Sequence, residues 1–125
     1  MTQNLKNIQM EMMLEQLRPL LPHRDKVGYA AARNIRRLND ALTEYFEFKR
    51  SLIMKYGNAD KDSDGNDLGT VSIKPSDDNF TEFAEKFNEI KNIEHEVELM
   101  TIKYDDIVGV LSGEEILKLD WMLEE

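Results

Sequence analysis

The apolar positions of the chain follow helical spacing over three segments. The longest seam alternates steps of four and three residues from Ala31 to Tyr56, and only Lys49 interrupts it. Such spacing places all members on one helix face, as in a coiled coil or a helical hairpin. The members are Ala31, Ile35, Leu38, Leu42, Tyr45, Lys49, Leu52 and Tyr56. We expect one helix from about Asp25 or Lys26 to Tyr56, closed by Gly57 in the left-handed conformation.

Three shorter helices are predicted around this long one. A stripe of four apolar residues, Met10, Met13, Leu14 and Leu17, predicts a helix from about Asn7 to Leu17 or Arg18, which Pro19 and Pro22 end. Phenylalanines at helical spacing predict a further helix after residues 76–79, and we expect those polar residues to cap it. The seam of phenylalanines should pack antiparallel against the long helix. Ser112 and Glu115 have the spacing of a capping box and predict a short C-terminal helix.

Two segments have the alternation of strands. Residues 70–74 are rich in β-branched side chains, and residues 94–104 alternate with one change of phase. The predicted fold is therefore mainly α, of the α+β class. It is a single domain over residues 1–125, with a long antiparallel helical hairpin, an N-terminal helix, a small β-element and a short C-terminal helix.

Composition narrows the class of protein. The chain has 125 residues and no cysteine, which excludes disulfides and thiol chemistry and favours a reducing compartment. No apolar run approaches the roughly 20 residues of a membrane span. We expect a cytoplasmic protein with no membrane contact.

Charge is unevenly distributed along the chain. The net charge is −9, but residues 1–55 hold 10 basic and 6 acidic side chains, whereas residues 56–125 are strongly acidic. Such a layout can attract an oppositely charged partner or drive homo-oligomer formation. The partner-binding candidates are the basic side chains Arg33, Arg36 and Arg37, together with Lys49 and Trp121. Interleaved acids make nucleic acid an unlikely ligand, and the arginines could instead pair with acidic residues of the same chain or of a dimer partner.

The stretch "DKDSDGND" begins like a calcium loop. Asp60, Asp62 and Asp64 stand at alternate positions before Gly65, as in an EF-hand. The twelfth position, however, is Val71 instead of the bidentate glutamate, and a strand follows instead of a helix. These aspartates are weak metal candidates, and the stretch is predicted to be an acidic turn between the long helix and a strand. We expect no cofactor.

Two E-x-x-E pairs raise an enzyme hypothesis. Glu44 with Glu47, and Glu82 with Glu85, have the spacing by which helical nucleotide hydrolases hold magnesium. Glu47 and Glu85 would point away from the apolar seams, where a shared metal would have to lie. Catalytic serine, histidine and phosphate-loop patterns are absent from the sequence. The metal-dependent hydrolase remains an alternative, and we expect that the protein is not an enzyme.

The order of several segments resembles a known group of proteins. The segments are "GYAAARNIRRLNDAL", "LIMKYG", "DKDSDGN", "VSIKP" and "LSGEEILKL". In this layout the chain is similar to small proteins of unknown function from phages and prophages of Gram-positive bacteria. The resemblance implies a phage-related accessory protein and no more, because the group has no established activity from which catalytic residues could be carried over. We expect it to bind a protein partner, by inhibiting a host or defence protein or, alternatively, by assisting phage assembly.

Overall fold

The computed structural model describes residues 2–124, which form a mixed α+β protein. Four α-helices lie within this range, and the second is by far the longest. They are α1 (Asn7–Leu17), α2 (Lys26–Tyr56), α3 (Phe80–Lys91) and α4 (Gly113–Lys118). The strands are β1 (Thr2–Lys6), β2 (Asn58–Lys61), β3 (Asp67–Ser72), β4 (Glu94–Glu98), β5 (Ile102–Lys103) and β6 (Leu123–Glu124).

The helices predicted from apolar spacing are confirmed. Six of the eight seam residues of α2 are buried, whereas Ile35 and Lys49 are half-buried. The capping box of α4 is formed in both directions. The Glu115 N–H donates to Ser112 Oγ at 3.2 Å, and the Ser112 N–H donates to Glu115 Oε1 at 3.1 Å. Local side-chain chemistry thus sets the start of α4.

The predicted conformation of Gly57 is wrong. The glycines with positive φ in the described chain are Gly65, Gly69 and Gly109. Gly57 is required for space instead, because a Cβ there would lie 2.5 Å from the Ile53 carbonyl oxygen and 2.8 Å from that of Ser72. The chain turns so closely from α2 into β2 that a side chain would collide with two backbones.

The predicted capping of α3 is also wrong in its detail. Asn79 occupies the cap position, but its side chain accepts no capping hydrogen bond. The nearby Asp77 carboxylate accepts from the Lys74 N–H at 2.7 Å, and so stabilises the turn before the helix. Asp77 therefore orders the preceding loop instead of capping the helix, as aspartates do in turns.

The strands within residues 2–124 form three separate two-stranded sheets. β1 pairs antiparallel with β4, β2 pairs antiparallel with β3, and β5 pairs parallel with β6. The predicted change of phase within residues 94–104 corresponds to the break between β4 and β5. Strands β1, β2 and β6 were not anticipated.

The structure divides into two compact units. The first contains the residues up to Leu42 and those from Glu94 onward, and the second is Thr43–Ile93. α2 contributes its first half to one unit and its second half to the other.

The core of the first unit is aliphatic. Its fully buried side chains come from α1, the following turn, the first half of α2 and the C-terminal segment. They include Met10, Leu17, Leu20, Leu38, Leu42, Leu99, Ile107, Leu119 and Met122. The core of the second unit is aromatic, with Leu52, Tyr56 and Phe83 at its centre. The Phe83 and Phe87 rings stack with centroids 5.7 Å apart. Each half of α2 therefore buries its seam in a different kind of core.

One buried amide connects α2 to the segment between β4 and β5. Asn34 is fully buried in the first unit. Its Nδ2 donates to the Met100 carbonyl at 2.9 Å, and its Oδ1 accepts from the Met100 N–H at 2.7 Å. One side chain thus pairs with both backbone polar groups of Met100, because an amide carries a hydrogen-bond donor and an acceptor side by side.

Replacing this amide should be costly. We predict that Asn34→Ala lowers the free energy of unfolding by about 1–3 kcal/mol, because it leaves the part-buried N–H and carbonyl of Met100 without their partners. Asn88→Ala, at an exposed position within α3, is the control and should change stability by less than about 0.5 kcal/mol. Urea unfolding followed by circular dichroism measures both, and equal small losses would contradict the assigned role.

Candidate interaction surfaces

The acidic turn uses its first aspartate to join the ends of β2 and β3. Asp60 accepts from Ser72 Oγ at 2.5 Å through Oδ1 and from Thr70 Oγ1 at 2.7 Å through Oδ2. These hydroxyl donors, Ser72 first, lower the pKa of the Asp60 carboxyl below its usual range. Asp60 thus acts as a cross-strand acceptor within the hairpin.

The second aspartate organises the tip of the turn. Asp62 Oδ1 accepts from the backbone N–H groups of Asp64 and Asn66, each at 2.9 Å. The Asn66 N–H is the main cause of a lowered pKa of the Asp62 carboxyl. Gly65 takes φ +83°, which lets the chain reverse between these two donors.

The metal candidates Asp60, Asp62 and Asp64 do not form a ligand cluster. Within residues 2–124 no group of three acidic or histidine side chains is arranged to hold a cation. Asp60 and Asp62 instead accept the hydrogen bonds that shape the hairpin. Calcium needs about six to eight oxygen ligands, and position twelve, Val71, lies in β3 and offers no carboxylate.

The hairpin should loosen in acid because of Asp60. A lowered folded-state pKa means that ionised Asp60 contributes stability above its ordinary pKa, near 4, and that this contribution is lost as the pH falls further. We predict that the amide resonances of β2 and β3 are constant from pH 6 to about 5 and shift below about pH 4. In Asp60→Asn the amides of Thr70 and Ser72 should already be displaced at pH 6 and change little on acidification, while the amides of Asp64 and Asn66 still respond to the titration of Asp62.

Asp64→Asn is the matched control for this titration. The Asp64 carboxylate has no hydrogen-bond partner among the described residues, so this variant should titrate like the wild type. Two-dimensional ¹⁵N–¹H spectra between pH 6 and 2.5 provide the measurement. An unchanged acid transition in Asp60→Asn would show that another group controls the hairpin.

Calcium should leave the turn unchanged. We predict that 5 mM Ca²⁺ produces no saturable shift of the amides of residues 60–67, since a bound ion would have to displace the hydroxyl and backbone donors. The same concentration of Mg²⁺ controls for ionic strength. A saturable shift with Ca²⁺ alone would contradict the hydrogen-bonding role.

The four glutamates of the E-x-x-E pairs are exposed. Glu44 and Glu47 lie on the solvent side of α2, and Glu82 and Glu85 lie on the solvent side of α3. Their positions agree with the expectation that they point away from the apolar seams.

The basic partner-binding candidates separate into two roles. Arg37 is half-buried and donates through Nη1 to the Glu98 carbonyl at 3.0 Å, so it holds β4 against α2 within the first unit. Arg33 and Arg36 are exposed and have no ion pair or hydrogen bond with the described residues. Of the three arginine candidates, Arg33 and Arg36 are therefore the ones left accessible to another molecule.

An exposed aromatic ring completes this basic surface. Tyr29 is 59% exposed and stands one helical turn before Arg33 and two turns before Arg36. We call Tyr29, Arg33 and Arg36 the basic face. Tyrosine and arginine are enriched at the energetic centres of protein interfaces. Sequence reasoning missed Tyr29, although its spacing of four and seven residues from the arginines was a usable signal.

Lys49 lies in the second unit and covers aromatic rings. Its Nζ is 5.4 Å from the centroid of Phe87 and 5.9 Å from that of Tyr45. A lysine can occupy a seam position in this way because its aliphatic stem packs while its ammonium group faces the rings. Its half-buried side chain leaves it less available than Arg33 or Arg36.

Trp121 fastens the C-terminal turn to α1 and β1. Its Nε1 donates to Gln16 Oε1 at 3.1 Å, and its carbonyl accepts from Gln3 Nε2 at 3.4 Å. The half-buried indole also borders a cavity of about 310 Å³ beside Met12 and Met13. Its hydrogen bonds give Trp121 a structural role, and a partner contact there remains a prediction.

Comparisons with protein families, with curated proteins and with solved structures gave no match to this chain. Among residues 2–124, none of the helices combines the length and apolar character needed to cross a membrane. The functional argument therefore rests on the surfaces described above.

Proposed function

We propose that this chain is a phage-type accessory protein that acts by binding a protein partner through the basic face. The observation that carries the proposal is the exposure of Arg33 and Arg36 beside Tyr29 on a regular helix, without ion pairs to the described residues. Two arginines and one aromatic ring suit an acidic surface with an apolar contact at its centre.

The rest of the architecture supports binding by a rigid element. We propose that the second half of α2 and α3 form an antiparallel helical hairpin, in which Leu52 and Tyr56 pack with Phe83. Held by its packed seam, α2 presents the basic face without the ordering cost that a flexible loop would incur on binding.

The biological role that we propose is inhibition of a host or defence protein in the cytoplasm. The cysteine-free composition fits a reducing compartment. A partner belonging to the phage particle would instead assign the chain to assembly, so the identity of the partner separates the two roles.

Photo-cross-linking tests the basic face directly. We predict that a benzophenone amino acid at position 29 captures one dominant protein in host cells, whereas the same group at the exposed Tyr104 position does not. Capture should weaken at least tenfold in Arg33→Glu with Arg36→Glu, and also between 0.1 and 0.5 M salt, because the attraction is screened.

A matched charge change controls for non-specific electrostatics. The double variant Lys86→Glu with Lys103→Glu changes two exposed lysines away from the basic face. It has the same net charge as the arginine double variant. It should retain the cross-link. Equal loss in both double variants, capture of nucleic acid instead of protein, or equal capture from positions 29 and 104 would overturn the proposal.

A further inference from the structure

The turn between β2 and β3 contains one aspartate whose carboxylate the fold does not use. Asp60 accepts from two hydroxyl groups, and Asp62 Oδ1 accepts from two backbone N–H groups. Asp64 lies exposed at the tip, and its carboxylate has no hydrogen bond or ion pair with the described residues. Its side chain is therefore free to rotate.

The residue after Asp64 is a glycine with open space beside it. Apart from its chain neighbours, no atom lies within 4 Å of the position that a Cβ of Gly65 would take. Because glycine has no Cβ, no side chain hinders the approach of the Asp64 carboxyl to the Gly65 nitrogen. Asp64 is the only aspartate of the sequence that precedes a glycine, and no asparagine precedes one.

We propose that Asp64–Gly65 is a modification site at which aspartate converts to isoaspartate without an enzyme. The Gly65 nitrogen attacks Cγ of the protonated Asp64 carboxyl. A bond forms between this nitrogen and Cγ, and the carboxyl OH leaves as water with the proton of the Gly65 N–H. The product is a five-membered succinimide ring.

Water then opens the ring at either of its two carbonyl carbons. Cleavage of the bond between Cγ and the nitrogen restores aspartate. Cleavage of the bond between the main-chain carbonyl carbon and the nitrogen gives isoaspartate, in which the chain continues through Cγ. One water is lost and one is gained, so the mass is unchanged and nothing is oxidised or reduced.

The folded turn slows this reaction. The Gly65 N–H donates to the Asp62 carbonyl at 3.1 Å, and the Asp62 N–H donates to the Asn66 carbonyl at 2.9 Å. These bonds must open before the Gly65 nitrogen reaches Cγ, so the reaction requires local unfolding of the turn. The Asp62 carboxylate opposes that opening, because it accepts from both the Asp64 and the Asn66 N–H groups.

Isoaspartate would disturb the tip of the hairpin. It adds one atom to the main chain between the Asp64 and Asn66 N–H groups, which both donate to Asp62 Oδ1 at 2.9 Å. The lengthened chain no longer brings both donors to the same oxygen. Since the Asn66 N–H is the main cause of the lowered pKa of Asp62, this pKa should rise toward its ordinary value in the modified chain.

This modification does not depend on the proposed function. The turn belongs to the second unit, whereas the basic face belongs to the first. Failure of one proposal leaves the measurement of the other unchanged.

Incubation of the full chain for several weeks tests the proposal. The medium is kept at about pH 5 and about 37 °C, because more aspartates are protonated there than at neutral pH. Electron-transfer fragmentation of the digested chain then distinguishes isoaspartate from aspartate at each position. We expect isoaspartate to accumulate at position 64, and several-fold more slowly at Asp62, which precedes Ser63.

Two variants test the chemistry of the site. Gly65→Asn places a side chain beside the attacking nitrogen, while asparagine tolerates the left-handed conformation of Gly65 at φ +83°. It should slow the reaction several-fold. Asp64→Glu keeps the charge but would require a six-membered ring, so modification at position 64 should fall below detection.

A further pair of variants tests the role of the turn. Asp62→Ala removes the acceptor that holds the turn closed, and isoaspartate at position 64 should then form several-fold faster. Asp78→Ala is the matched control, because it removes an exposed carboxylate of the same unit outside the turn. It should react like the wild type, and circular dichroism shows that each variant is folded.

Three results would overturn the inference. The first is the absence of isoaspartate at position 64 after the incubation. The second is equal accumulation at Asp62 and Asp64, or an unchanged rate in Gly65→Asn, because the glycine would then have no role. The third is an unchanged rate in Asp62→Ala, which would show that the turn does not control the reaction.

Discussion

The structure depends on the burial of one apolar seam along the whole of α2. This helix has 31 residues and is about 46 Å long, and its stability in water comes mainly from tertiary packing of its apolar face. The aliphatic core of the first unit covers the seam up to Leu42, and the aromatic core of the second covers it from Tyr45 onward.

This constraint also determines where binding chemistry can lie. Charged residues that meet packed elements take structural partners, as Arg37 does with the Glu98 carbonyl and Lys49 does with aromatic rings. Arg33 and Arg36 take no such partner among the described residues and stay exposed. The basic face is therefore the part of the cationic cluster that folding does not use.

Helical periodicity predicted the elements whose information is local. The α2 seam and the Ser112–Glu115 box carry their signals within a few residues, and both are formed. β1 could not be predicted in this way, because its sequence is polar and its pairing depends on β4, more than 85 residues later. The close passage at Gly57 was missed for the same reason, since the colliding Ser72 carbonyl belongs to a different element.

The candidate sites were predictable only as residue types. The sequence showed that the calcium pattern of residues 60–67 is incomplete, but hydroxyl donors from β3 are visible only once β3 is paired. The sequence also showed a cluster of arginines. Only the tertiary contacts show that Arg37 is hydrogen-bonded to the Glu98 carbonyl, whereas Arg33 and Arg36 are exposed. From the sequence, Lys49 looks like a break in the apolar seam, because lysine counts as a charged residue in a hydrophobic pattern. Its aliphatic stem nevertheless lets it pack at a seam position.

Amide hydrogen exchange along α2 tests the central claim most directly. If each half of the helix is held by its own core, slow exchange should extend from the first half through Leu42 and Tyr45 to about Leu52, with fraying only in the terminal turns. Fast exchange throughout residues 43–56 would contradict the account, because it would mean that the aromatic core does not hold the second half of the helix.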